Sequence, residues 1–246
     1  ADYYVKDLRS GEQRPLVMKT EAGLSQTPDG KFAIGYEEES KQLVSYDLKS
    51  LEKKVLNKDL PPIWNELNDV PSPAGLIGFG GFTKDGGVLV YDAFDIWHVD
   101  IAGKNAPKNL TNGWGRTLKM RYRIVPLDRD ADYVDLAKPL FLSAVDTRTL
   151  DSGFASLDEV GTKPKNILFE SKSFGSVAGL RGQAANTVTK AKDSDTIVYA
   201  RQSVDEYPDL WVADNIKFEN RAKITDANPQ IKDYVWPTVE HVNYMS

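Results

Sequence analysis

The 246-residue chain contains no cysteine, which excludes disulfides, thiolate metal sites and cysteine nucleophiles and leaves the redox compartment open. Histidine is almost as scarce: His98 and His241 are the only two. Two isolated histidines without a thiol do not make a zinc centre, which takes three or four ligands. No run approaches the roughly 20 apolar residues that span a bilayer, and the opening ADYYVKDL has neither the basic nor the apolar region of a signal peptide. Charge is not gathered into blocks: 31 basic and 36 acidic residues are interspersed, for a net charge of -5, so nucleic acid is not an expected partner. The chain opens within a strand-like run and closes in another, EHVNYMS, and is expected to be a piece of a longer protein.

What is present is a repeat. Apolar or aromatic residues ending in aspartate recur as YYVKDL, LVSYDL, IWHVDI, FASLDE and LWVADN, placing Asp7, Asp47, Asp100, Asp158 and Asp214 at separations of 40, 53, 58 and 56 residues. Each is followed by a polar turn and a second short run. Four are preceded by a third run: KFAIGYE, GVLVYDA, PLFLSAV and TIVYARQ. Two of these follow Thr27-Pro28-Asp29-Gly30 and Thr83-Lys84-Asp85-Gly86, turn signals in which glycine tolerates positive φ. Helical periodicity is confined to short candidates such as residues 48–54. Repeated antiparallel four-stranded units predict an all-β fold, a β-propeller of about five blades, with a β-sandwich or a meander sheet as alternatives. The blades are expected over 1–20 (partial), 21–62, 63–113, 114–170 and 171–228.

The T-x-D-G turn followed by a strand ending in tyrosine resembles the repeats of TolB-like propellers and of the prolyl oligopeptidase family. Longer stretches, GFGGFTKDGGVLVYDAFDIWHVD, NLTNGWGR, FGSVAG and YPDLWVADNIKFENRAKITDANPQIKDYVWPTVEHVNY, are similar to the last blades of large dipeptidyl or acylaminoacyl peptidase-like members of that family of the Bacteroidetes type. The resemblance implies an incomplete part of a seven- or eight-bladed propeller, with residues 229–246 crossing toward a C-terminal α/β-hydrolase domain that carries the serine nucleophile. It also implies a periplasmic or extracellular location, a peptide substrate, and a gating role for the propeller.

The residues themselves offer little chemistry. The G-x-S-x-G turn of an α/β-hydrolase is absent; Gly23-Leu24-Ser25-Gln26-Thr27 lacks the second glycine. His98 alternates with Ile96 and Asp100 on one strand face and reads as structural. Asp128, Asp130 and Asp132 have the spacing that opens a calcium loop, but Tyr133 and Pro139 stand where glycine and glutamate are needed. Gly78, Gly80 and Gly81 lack the third glycine of a phosphate-binding turn and read as sites of close strand packing.

Two groups remain as substrate-binding candidates. Glu37 and Glu38 stand in an acidic run, and dipeptidyl peptidases of the resembled family hold the substrate's amino terminus with a glutamate pair; a solvated hairpin turn is the competing reading. Arg121 and Arg123 alternate onto one strand face and could pair a peptide carboxylate, or instead Asp128, Asp130 and Asp132. No catalytic residue, metal site or cofactor is expected in the chain, which is expected not to be an enzyme by itself. The alternatives are a free-standing TolB-like propeller that binds a protein partner, and a five-bladed carbohydrate-active enzyme with two carboxylates in its channel.

Overall fold

A computed structural model describes residues 1–65, 74–128, 130–174, 188–235 and 242. Short runs rich in Val, Ile, Leu, Phe and Tyr, separated by tight polar turns, form strands because β-branched and aromatic side chains fill a pleated, half-buried surface. They are β1 (Tyr3–Lys6) and β2 (Gln13–Val17), then β3 (Leu24–Gln26), β4 (Phe32–Glu37), β5 (Gln42–Asp47) and β6 (Lys53–Val55). There follow β7 (Phe79–Phe82), β8 (Gly87–Tyr91), β9 (Ile96–Asp100) and β10 (Lys108–Asn109), and, after helix α1 (Trp114–Leu118), β11 (Met120–Ile124), β12 (Leu140–Asp146), β13 (Ser152–Leu157) and β14 (Lys165–Glu170). The last are β15 (Val188–Lys190), β16 (Ile197–Ser203), β17 (Glu206–Ala213) and β18 (Ala222–Lys223), with a 3-10 turn at Pro229–Asp233.

Among the described residues four sheets are four-stranded antiparallel meanders in sequence order, β3 to β6, β7 to β10, β11 to β14 and β15 to β18, and β1 and β2 form a two-stranded sheet. Such meanders are the blades of a β-propeller, and the fold is a propeller present in part. The described residues form two compact units, 1–112 with 132–136, and 113–131 with 137–246.

Three of the five repeat aspartates, Asp7, Asp47 and Asp100, are turn staples. Asp47 ends β5, and its Oδ1 accepts the backbone N–H groups of Lys49 (2.8 Å) and Ser50 (2.9 Å). Asp7 does the same for Arg9 and Ser10, and Asp100 takes those of Ala102, Lys104 and Asn105. The fifth residue of the turn donates back to the aspartate carbonyl, as in Gly11 to Asp7 and Leu51 to Asp47, with positive φ of 76° and 64°. This corrects the expected helix at 48–54: the left-handed Leu51 ends a turn and β6 begins at Lys53. The helix that does form, α1, lies at Trp114–Leu118, between left-handed Gly113 and Lys119.

Within the first unit, Ile34, Leu43, Val88, Val90 and Val99 are buried together across the β3–β6 and β7–β10 sheets, with Ile63 filling the same core. The Ser45 hydroxyl is buried at this seam and donates to the Ile101 carbonyl at 2.7 Å. Gly80 is needed in β7 because a Cβ there would come within 2.9 Å of the Leu89 Cβ and the Tyr91 hydroxyl, the close strand approach expected of this glycine run. In the second unit the core between its two sheets is aromatic: Phe154 stacks on Phe141 at 5.2 Å and Phe218 at 5.0 Å, and Tyr199 meets Phe218 edge-on. Full burial of such a ring is worth about 1.5–3 kcal/mol over leaving it exposed.

Candidate functional site

In the first unit, Glu37 closes β4 and Glu38 opens the hairpin turn to β5. Glu37 accepts from Lys53 Nζ at 2.7 Å and from the Ser40 hydroxyl at 3.1 Å, so its carboxylate is engaged within its own blade, while Glu38 is exposed. Ser25 lies inside β3, paired with Ile34, on a flat strand rather than the sharp turn a nucleophile needs.

His98 is held at a turn. Its Nε2 lies 3.1 Å from both Thr83 Oγ1 and Asp85 Oδ1, and the Thr83 hydroxyl donates to Asp85 Oδ1 at 2.5 Å and accepts the Gly87 N–H at 3.0 Å. Partial burial pushes the Asp85 carboxyl up, but the Thr83 hydroxyl and the charge of His98 outweigh it and leave the group below the usual carboxylate range. The equivalent turn at Thr27 repeats the hydroxyl-to-Asp29 bond at 2.7 Å, with Lys31 in the role of the cation and Asp29 lowered to about 2 by it. His241 lies outside the described residues.

In the second unit, alternation along β11 separates two sets of side chains. Met120 and Tyr122 are buried on one face and pair with Asp146 and Ala144. Arg121 and Arg123 point to the other; Arg121 is exposed, and Arg123 donates Nη1 to the Tyr122 carbonyl at 2.6 Å. Of the three loop carboxylates, Asp130 lies 3.4 Å from Lys192. A separate ionic cluster ties β14 to β16 and β17: Arg201 reaches Glu170 at 3.1 Å and Glu206 at 2.9 Å, Arg221 reaches Glu170 at 2.7 Å, and Lys172 reaches Glu206 at 2.9 Å. Among the described residues no group of three or more metal-ligating side chains converges.

The face of β11 that carries Met120 and Tyr122 opens into a cavity of about 590 Å³. Leu118 of α1 and Phe169 of β14 complete its apolar wall. At the β12–β13 turn, Arg148 gives Nε and Nη2 to the two oxygens of Asp146 at 3.0 and 2.6 Å; this bidentate pairing lowers the Asp146 carboxyl to about 2. At the β13–β14 turn, Lys163 and Lys165 flank Pro164. The Lys163 ammonium sits 4.9 Å above the Trp114 ring, and Lys165 pairs with Asp158 at 2.7 Å. The cavity was not foreseen from sequence, because its lining comes from α1, β11, β14 and two separate turns that only the strand register brings together.

Fold and site together define a portion of a β-propeller with a polar-rimmed cavity on a blade face. No family model matches the chain, and no curated protein is similar to it in sequence. Solved structures do resemble it. A protein assigned as TolB from Agrobacterium tumefaciens is 14% identical, with 90% of this chain and 87% of that one covered and a TM-score of 0.35. The β-propeller domain of the Trilobed protease from Pyrococcus furiosus is 10% identical over 92% and 76%, with a TM-score of 0.35. A puromycin-hydrolyzing peptidase from Mycobacterium tuberculosis is 11% identical over 89% and 41%, with a TM-score of 0.40. The fold assignment rests on the sheets themselves. Among the described residues no helix is long and apolar enough to cross a membrane.

Proposed function

We propose that this chain is the non-catalytic propeller portion of a secreted serine peptidase of the prolyl oligopeptidase family, acting in the periplasm or outside the cell. Its partner is an α/β-hydrolase domain of the same protein, which supplies the serine nucleophile and cleaves through an acyl-enzyme intermediate. The propeller admits short peptides to that site and keeps folded proteins out. Such a filter needs no reactive side chain of its own.

The observation that carries this reading is the position of His98. A general base needs a ring nitrogen free to take the nucleophile's proton, whereas the Thr83 hydroxyl here gives its proton to Asp85 Oδ1 and the His98 Nε2 is engaged by those same two oxygens at a hairpin turn. The family is taken from the resemblance that stretches within 75–125 and 196–244 bear to the final blades of these peptidases. The test is the intact mass of the natural gene product, together with assay of this 27.4 kDa chain on proline and alanine dipeptide p-nitroanilides. A natural product well above 27.4 kDa and no hydrolysis by the isolated chain are expected. A product of that mass, or p-nitroaniline released by the chain alone, overturns the proposal; the former favours a free-standing propeller that binds a protein partner.

A further inference from the structure

We propose that the cavity between α1 and the β11–β14 sheet is a binding site for an apolar organic carboxylate. The proposal stands apart from the peptidase reading, since it uses only the second unit's own side chains. A volume of about 590 Å³ falls in the range of small-molecule sites, about 300–1,000 Å³. The apolar surface open to a hydrocarbon or ring comes from the half-buried Leu118 and Phe169, while Tyr122 and Met120, which also line the cavity, are buried.

The two polar ends of the cavity differ in charge, and that difference orients the ligand. Register places Asp146 opposite Met120 at one end of the sheet, and Lys165 opposite Ser156 near the other. At the first end the Arg148 guanidinium is matched by Asp146 in a two-point pair, which is neutral overall. At the second, Lys163 and Lys165 both line the cavity and no carboxylate does. Lys165 shares its charge with Asp158 outside the lining, whereas Lys163 is held by the face of Trp114, an attraction that positions an ammonium without neutralising it. The net positive end is therefore the Lys163 end, and a ligand carboxylate settles there with its apolar body against Leu118 and Phe169.

The test compares N-acetylphenylalanine with N-acetylphenylalaninamide, near-isosteres in which an uncharged amide replaces the carboxylate, by calorimetric or NMR titration of the whole chain. The acid is expected to bind about 10-fold more tightly than the amide, which corresponds to about 1.4 kcal/mol. Lys163→Gln combined with Lys165→Gln is expected to erase that preference, and both side chains are exposed, so the circular dichroism spectrum should be unchanged. Phe169→Ala is expected to weaken acid and amide alike. Absence of binding of either compound at millimolar concentration overturns the proposal, as does a preference for the acid that survives the double lysine substitution.

Discussion

His98 lies so close over Gly87 that any Cβ on Gly87 would overlap the imidazole ring. The ring is in turn held by Thr83 and Asp85, so it cannot swing aside without breaking the turn that starts β8. Gly87→Ala should therefore destabilise the chain by about 1–3 kcal/mol, the usual cost of overpacking. In a His98→Ala background the same substitution should cost much less. Urea denaturation of the two single variants and the double variant measures this coupling, and equal costs in both backgrounds would show that the ring is not the obstacle.

Phe154 is fully buried between Phe141, Phe174 and Phe218. Phe154→Ala leaves a ring-sized void among groups fixed by their strands and should cost about 3–5 kcal/mol. Phe154→Leu should recover a large part of it. Chemical denaturation midpoints check both.

Leu150 holds the fifth position of the Asp146 turn at φ 64° while its side chain is 63% exposed. A left-handed L-residue costs about 1–2 kcal/mol, and little burial is lost by removing this side chain. Leu150→Gly should thus raise stability by up to about 1 kcal/mol after the added chain entropy of glycine. Gly11 already occupies the same position of the Asp7 turn at φ 76°. A lower melting temperature for the variant would contradict this account.

Asp146 provides an acid-sensitive term. Its carboxyl is lowered from 3.8 to about 2 in the fold, chiefly by Arg148. A depressed folded value contributes stability that is complete above the unfolded value near 4 and vanishes as pH falls through about 2. The wild-type chain should therefore be slightly more stable than Arg148→Ala at neutral pH, by a small margin because the guanidinium is solvent-exposed. The gap should close between about pH 4 and pH 2. Denaturation midpoints of both proteins across that interval test it.

Much of the fold was legible from sequence. KFAIGYE and GVLVYDA contain β4 and β8, and PLFLSAV and TIVYARQ contain all but the last residue of β12 and β16, since each is an apolar run bounded by turn residues. The recurring aspartate announced a turn, and its mechanism at Asp7, Asp47 and Asp100, capture of two or three backbone amides further along the turn, is local enough to be written in six residues or fewer. Helix α1 was missed because five residues are too few to show a helical period, and residues 48–54 misled because Leu51 gives no sign of its left-handed backbone. The cavity was illegible for a different reason: Asp146, Lys163 and Phe169 meet only through pairings between strands, and no local pattern encodes which turn faces which. Glu37 shows the same limit, its partner Lys53 standing two strands away.

The hydroxyl of Ser45 donates across the seam between two blades to the carbonyl of Ile101. The aspartate turns are self-contained, and a blade copied elsewhere in such a chain would carry them along intact. This seam would not travel, because half of it belongs to the neighbour. A transplanted β3–β6 blade would arrive with a buried donor and no acceptor, so the order of blades is recorded in their flanks even where their hairpins are interchangeable.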